Sequence, residues 1–238
     1  MTERDIRLYV DPPLAAGGSR VLAAPQAHYL ARVMRCRSGD RVRLFDGASG
    51  EWAAVVEIGK RDVSVVVGTQ TRPQAAEPGP VLVLPPIRRA RLEWAVEKAC
   101  ELGIVALQLV LTERSGEERP KVERLRAIAI EAAEQSERLT VPAIRPPVRL
   151  GDFLAGREGA VPLYVALERS TAPLLPAALA AHGPGDLLVG PEGGLGPGDR
   201  ALLQCIEAGV AVRLGPTILR TETAALAGLA VLAMARAH

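Results

Sequence analysis

Near residue 80 the sequence changes its period, and few architectures accommodate both halves. Before that point RLYV (7–10), RVRLFDG (41–47), EWAAVVEIG (51–59) and VSVVVGTQ (63–70) are short β-rich runs. They are punctuated at Ser38-Gly39, Asp46-Gly47 and Gly59-Lys60, the texture of hairpins in a small barrel. Leu30, Val33 and Met34 recur at helical spacing within 27–34 and predict one or two helical turns there. RPQAAEPGP (72–80) is rich in proline and lacks any apolar period, so it reads as a linker. Beyond it, apolar strands at 81–84, 105–111, 163–167, 186–190 and 210–214 alternate with helical segments at 89–102, 121–139, 174–181, 197–208 and 222–237. Such alternation is the signature of a mainly parallel α/β sheet. The expected organisation is a small β-barrel over 1–72, a linker over 73–80 and an α/β domain over 81–238.

Within the second part, Gly103 is placed to end the first helix and Pro142 to stop the second. The last helix is apolar on nearly every side and needs cover all round, from the sheet, a knot or a second subunit. The longest apolar stretch, 224–235, is too short to span a bilayer. The opening MTERDIRLYV has no basic-then-apolar signal pattern. Three cysteines at 36, 100 and 205 form neither a metal knuckle nor a disulfide framework. The three histidines, His28, His182 and His238, have no ligand spacing. These features predict a cytoplasmic protein, off the membrane, with no metal.

The formal charge is only +2, but 26 of the 29 basic residues are arginine. That bias suits phosphate and base edges, and a GC-rich genome produces it equally well. The charge is uneven: residues 1–72 hold 11 basic and 8 acidic side chains, against 18 and 19 in the remainder. Arg32, Arg35, Arg37, Arg41 and Arg43 are opposed locally by Asp40 alone. Such a field attracts a phosphate backbone; a solvated charged face is the alternative. Seven aromatic residues in the whole chain argue against stacking of many bases on an aromatic platform and leave recognition to arginine.

The segment LLVGPEGGLGPGD (187–199) runs from a buried strand into a loop containing Gly190, Gly193 and Gly194, then into a helix opened by Pro197. Ligands of open α/β sheets bind at the carboxyl ends of strands, where glycine exposes backbone amides. Neither a P-loop nor a GxGxxG match is present. A second loop, after VAVRL (210–214), continues through Gly215-Pro216 and TILRTETAA into the last helix. If the two strands are neighbours, 190–194 and 214–219 wall one crevice, with Leu214, Ile218 and Leu219 packing a heterocycle. This suits an adenosine without phosphates. Thr221 is equally an N-cap, with Glu222 favourable in the first turn. Arg114, in TERSG at the sheet's carboxyl edge, faces a possible polyanion. Glu131 with Gln135 and Glu134 with Arg138 pair at i,i+4 as on an ordinary surface helix.

Taken in order, RLYV, HYLARVMRCRSGD (28–40), LFDG (44–47), EKACELGI (97–104), ERSG (113–116), IAIEAAEQSER (128–138), GPEGGL (190–195) and LGPTILRTETAAL (214–226) resemble the bacterial 16S ribosomal RNA uracil-N3 methyltransferases. These belong to the SPOUT class. The resemblance implies an N-terminal PUA-like β-barrel that helps hold RNA and a SPOUT-type, mainly parallel sheet with a trefoil knot. It further implies a homodimer, S-adenosylmethionine as cofactor and 16S ribosomal RNA of the small subunit as partner. By the same resemblance Gly190, Pro191, Glu192, Gly193, Gly194, Leu214, Gly215, Ile218, Leu219, Arg220 and Thr223 lie in or beside the cofactor loops. Arg220 is nominated to stabilise charge on uracil and Glu222 to accept a proton, against its capping role. Arg7, Arg32, Arg35, Arg37, Arg114 and Arg138 are nominated to contact RNA. The sequence departs from its relatives at PPIRRARLEW (85–94), where Arg88, Arg89 and Arg91 carry the charge, and at Asp199, where glutamate is usual. The competing readings are a ribose 2′-O-methyltransferase of the same class and a non-catalytic RNA-binding ribosome assembly factor.

Overall fold

A computed structural model describes residues 6–116, 118–157 and 159–236. The chain divides into two units: one runs to Glu77 and takes in Ala133–Val141, and the other comprises Pro78–Ala132 and Pro142 onward. The division falls between Glu77 and Pro78, but each unit takes two separate stretches of the sequence, which contiguous ranges do not express.

The first unit is a curled five-stranded sheet of β1 (Arg7–Tyr9), β2 (Ser19–Val21), β3 (Arg41–Phe45), β4 (Glu51–Ile58) and β5 (Val63–Arg72). The order is β1-β3-β4-β5-β2, with β1 parallel to β3 and the other pairs antiparallel. Strand alternation sends Val42, Leu44, Ala54, Val56, Val63, Val65 and Val67 into one core with Leu8 and Leu30. Leu30 is supplied by a π-helical turn, Tyr29–Val33, that continues α1 (Ala24–His28).

Register sets the electrostatics of this unit. Arg7 lies opposite Arg43, and Tyr9 opposite Phe45. The buried Glu51 relieves the like-charge pair: Arg7 Nε donates to its Oε2 at 2.6 Å, and Arg43 Nη1 to its Oε1 at 3.4 Å. The Arg7 guanidinium also stacks 3.8 Å from the Phe45 ring centre and donates to the carbonyls of Ala133 and Arg138. From the other side, Glu77 accepts from the Leu139 and Thr140 N–H groups at 2.8 and 3.2 Å and from Arg138 Nε at 3.4 Å. These bonds are why Ala133–Val141 belongs with the barrel. They also correct two expectations, because Arg7 and Arg138 are buried, with guanidiniums bonded to the protein's own carbonyls and carboxylates rather than offered to RNA.

The second unit contains β6 (Val81–Leu84), α2 (Arg89–Glu101), β7 (Ala106–Leu111), most of α3 (Val122–Gln135, whose last turn from Ala133 belongs to the first unit), β8 (Ala143–Arg149), α4 (Leu150–Ala155), β9 (Leu163–Ala166), α5 (Leu175–His182), β10 (Asp186–Val189), α6 (Pro197–Gln204), β11 (Gly209–Val212) and α7 (Thr221–Arg236). Helix α3 ends before the expected 139 because Glu137 turns the chain at φ +56°. The six strands lie in the order β11-β9-β10-β6-β7-β8, every pair parallel. Strands β10 and β11 are therefore not neighbours; β9 lies between them and pairs with both. Being parallel, all three still deliver their carboxyl ends to one edge. The apolar α7 finds cover from α2, α5 and β10. Gly228 permits its close approach to the sheet, since a Cβ there would lie 2.5 Å from Leu187 Cδ2. Among the described residues, no helix is long and apolar enough to cross a membrane.

Candidate active site

At the carboxyl edge of β9, β10 and β11 lies a cleft of about 480 Å³. Three loops wall it: Leu167–Ser170 after β9, Gly190–Leu195 after β10, and Arg213–Arg220 between β11 and α7, with Arg91 and Arg200 at its margin. The volume lies within the range of small-molecule sites.

The loop after β10 is shaped by glycine where the backbone demands it. The Gly194 N–H donates to the Pro191 carbonyl at 2.8 Å, closing a tight turn. Gly194 itself has φ +72°, a conformation costly for any residue with a Cβ, and a Cβ there would stand 3.3 Å from Glu168 Oε1. The turn is anchored on both sides. Thr221 Oγ1 donates to the Gly190 carbonyl at 3.0 Å, and Arg114 Nη1 to the Gly193 carbonyl at 2.8 Å. Thr221 thus joins the second and third walls, a longer reach than the N-cap its local sequence suggests.

Behind this loop two acids exchange backbone bonds. The Asp199 carboxylate accepts from the Glu113 N–H at 3.2 and 3.1 Å and from the Gly196 N–H at 3.0 Å, while Glu113 Oε1 accepts from the Gly198 N–H at 3.1 Å. The first turn of α6 is thereby fixed to the end of β7, with negative charge where the helix dipole favours it.

Arg91, in the first turn of α2, bridges two carboxylates: it pairs with Glu192 and its Nε lies 3.5 Å from Glu222 Oε1. Glu222 is only 7% exposed. Its Oε2 is, among the described residues, the buried side-chain oxygen without a hydrogen-bond partner, an exception of the kind that marks functional sites.

Of the residues nominated from sequence, Gly190, Pro191, Glu192, Gly194, Leu214, Gly215, Ile218, Leu219 and Arg220 line the cleft together. Gly193 does not line it but turns its carbonyl to Arg114. Thr223 is exposed on the first turn of α7 outside the lining, and Glu222 lies behind Arg91 rather than on the wall. Arg32, Arg35 and Arg37 are exposed on the first unit, and Arg114 is exposed on the second. Sequence reasoning missed the wall after β9 and the roles of Arg91, Arg200 and Arg213. The signal for the first was available, because LYVAL is followed by polar ERST in the same strand-then-loop pattern as its two partners.

Residues 77–233 match the RNA methyltransferase domain family and residues 22–68 the RNA methyltransferase PUA domain. The chain is 30% identical over 235 residues to ribosomal RNA small subunit methyltransferase E of Rickettsia conorii, covering 98% of this chain and 96% of that one. It is 31% identical to the Bacillus subtilis protein of the same name, covering 89% and 88%. Among solved structures, a putative methyltransferase of Legionella pneumophila in complex with its cofactor S-adenosylmethionine superposes with a TM-score of 0.86 at 27% identity, over 98% of both chains. The small subunit methyltransferase E of Neisseria gonorrhoeae, bound to S-adenosylmethionine, gives 0.81 at 28% identity, over 97% of this chain and 98% of that one. On its sequence over nearly its whole length, and on the fold of both its parts, this chain belongs to the family of RNA methyltransferases that includes the bacterial ribosomal RNA small subunit methyltransferase E proteins.

Proposed function

We propose that this protein transfers a methyl group from S-adenosylmethionine to N3 of a uridine in 16S ribosomal RNA of the small subunit. The observation that carries the reading is the convergence of the glycine turn and the 214–220 segment on one cleft, tied together by Thr221. The residues present suit the cofactor. Val189, Leu214, Ile218 and Leu219 give apolar surface for a heterocycle. Among the described residues, the Ile218 and Leu219 N–H groups donate to no protein acceptor, so they are free to read a base edge. When bound, S-adenosylmethionine supplies an electrophilic methyl group, the C–S electron pair leaving with sulfur.

The protein's own tasks follow from the acceptor. Uracil N3 bears a proton at neutral pH and attacks only as that proton departs, so the site must hold developing negative charge and receive the proton. Arg220 lines the cleft, is exposed to it and has no carboxylate partner among the described residues, so it stabilises the uracil anion. Glu222, held by Arg91 through Oε1 and with an unpartnered Oε2, is the proton acceptor of this reading; because it stands behind the lining, the proton reaches it by a bridging water or a shift of the Arg91 side chain. Five arginines (Arg91, Arg169, Arg200, Arg213, Arg220) against Glu168 and Glu192 give the cleft a net positive lining that favours a polyanionic substrate. The exposed arginines of the first unit, Arg32, Arg35 and Arg37, add phosphate contacts. The trefoil knot, a homodimer and a cytoplasmic location belong to this proposal.

Small subunits lacking the modification, incubated with protein and methyl-labelled S-adenosylmethionine, test it. Digestion should recover the label as 3-methyluridine, and Glu222→Gln should lower the rate about 10²- to 10⁴-fold, the usual contribution of a general base. Label in a 2′-O-methyl nucleoside, or none, contradicts the proposal.

A further inference from the structure

A second, smaller cavity of about 130 Å³ lies in the same unit, between the start of α2, the segment 118–121 and the start of α3. Ile87, Leu92, Pro120 and Leu125 form its apolar floor; Arg89, Arg119, Lys121 and Arg124 ring it, with Glu93 and Glu118. The charges are not balanced. Glu93 takes both Arg89 at 2.7 Å and Arg124 at 3.7 Å, one carboxylate for two guanidiniums. Arg119 and Lys121 are exposed and have no carboxylate partner among the described residues. Among the described residues, four cations and two acids line the notch, a net positive lining that suits an oxyanion. The size admits one phosphate group and excludes a nucleoside.

Its position fixes which phosphate. Arg89, Leu92 and Glu93 face the notch, whereas Arg91 faces the methyl-donor cleft, so the two cavities lie on opposite sides of the first turns of one helix. A helix with its side chains is about 10–12 Å across, a span that a few nucleotides of single-stranded RNA bridge. We propose that this notch is a second docking point for the substrate RNA, holding one backbone phosphate a few nucleotides from the uridine to be methylated. The inference rests on the functional reading above and adds to it a contact that sets the register of the strand. Phosphate contacts position a nucleic acid without reading its bases.

The experiment is equilibrium binding of unmethylated 16S ribosomal RNA across a salt series, comparing the wild-type protein with the double variant Arg119→Ala, Lys121→Ala. Both side chains are exposed, so the variant should keep its thermal unfolding midpoint. Its affinity for RNA should fall about tenfold, and the slope of log K against log salt should become shallower by about 0.7 for one lost phosphate on a single strand. Its affinity for S-adenosylmethionine should be unchanged by calorimetry. Inorganic phosphate at millimolar concentration should compete with RNA for the wild type and lose that effect in the variant. RNA affinity and slope equal to the wild type overturn the proposal. So does a variant that loses binding of inorganic phosphate while keeping full RNA affinity, because the notch then serves a free anion. Failure of the wild type to bind S-adenosylmethionine overturns the methyltransferase reading instead, and the RNA slope still decides the notch.

Discussion

Arg7 shows how far a single residue can depart from its local reading. An arginine beside a β-strand in a basic half of the chain suggests a phosphate contact, but the fate of its side chain depends on what lies across the sheet. Here Arg43 lies opposite, Phe45 supplies a ring face and Glu51 a buried carboxylate. None of these is adjacent in sequence. Burial acts to raise the Glu51 carboxyl, but hydrogen bonds from Arg7 and Thr71 and the charges of Arg7 and Arg43 outweigh it and hold it below its ordinary 4.5. Glu77 is lowered in the same way: burial is outweighed by bonds from Thr140 and Leu139 and by the charge of Arg138. A carboxyl lowered in the folded state contributes stability that is fully present above its unfolded value and is lost as pH falls through the folded one. Urea midpoints should therefore drop steeply below about pH 4.5, and less steeply in Glu51→Gln. Arg7→Ala should cost about 3 kcal/mol at neutral pH, the lower end for breaking a buried pair, because Arg43 and Arg72 remain near Glu51. A change within about 0.5 kcal/mol would mark Arg7 as a surface residue.

Elements were legible where one kind of signal sufficed. The strands β6, β7, β9 and β10 are mostly apolar runs buried in the sheet, as strands covered on both faces must be, and β11, though an edge strand with a single buried residue, is short and apolar too, so all five were readable without a partner. Strand β8 was not, because Ala143–Arg149 contains Pro146 and Pro147 and carries an irregular pairing with β7 between Gln108 and Val110. Proline is tolerated there because β8 is an edge strand. The order of strands was hidden for a different reason: whether β10 touches β11 is decided by where β9 inserts, and no local pattern encodes that. The crevice forms without that adjacency because parallel strands share a carboxyl edge whatever their order. The α6 start offers a test at this scale. Asp199→Ala removes acceptors for the Glu113 and Gly196 N–H groups and should cost about 1 kcal/mol, as loss of a helix cap does. For a chain of this size that is a fall of about 2–4 °C in the unfolding midpoint, read by calorimetric scanning. No fall would detach that carboxylate from the support of the loop.

For the molecule as a whole, the site combines three loops that are distant in sequence and adjacent in space. Two could be recognised beforehand because glycine and proline mark them; the third, after β9, and Arg91 on α2 carry no such mark. The proposed cofactor site rests on the positive-φ turn at Gly194 facing Glu168, together with the bond from Thr221 to Gly190. Titration calorimetry with S-adenosylmethionine on the wild-type protein and on Gly194→Val reads that claim directly. The wild type should bind saturably, with one cofactor per cleft. In the variant, a β-branched side chain forced to φ +72° against Glu168 should weaken binding about 5- to 150-fold, the equivalent of about 1–3 kcal/mol of backbone strain, while circular dichroism shows the fold retained. Wild-type affinity in a folded Gly194→Val protein, or no heat from the wild type, would contradict the account.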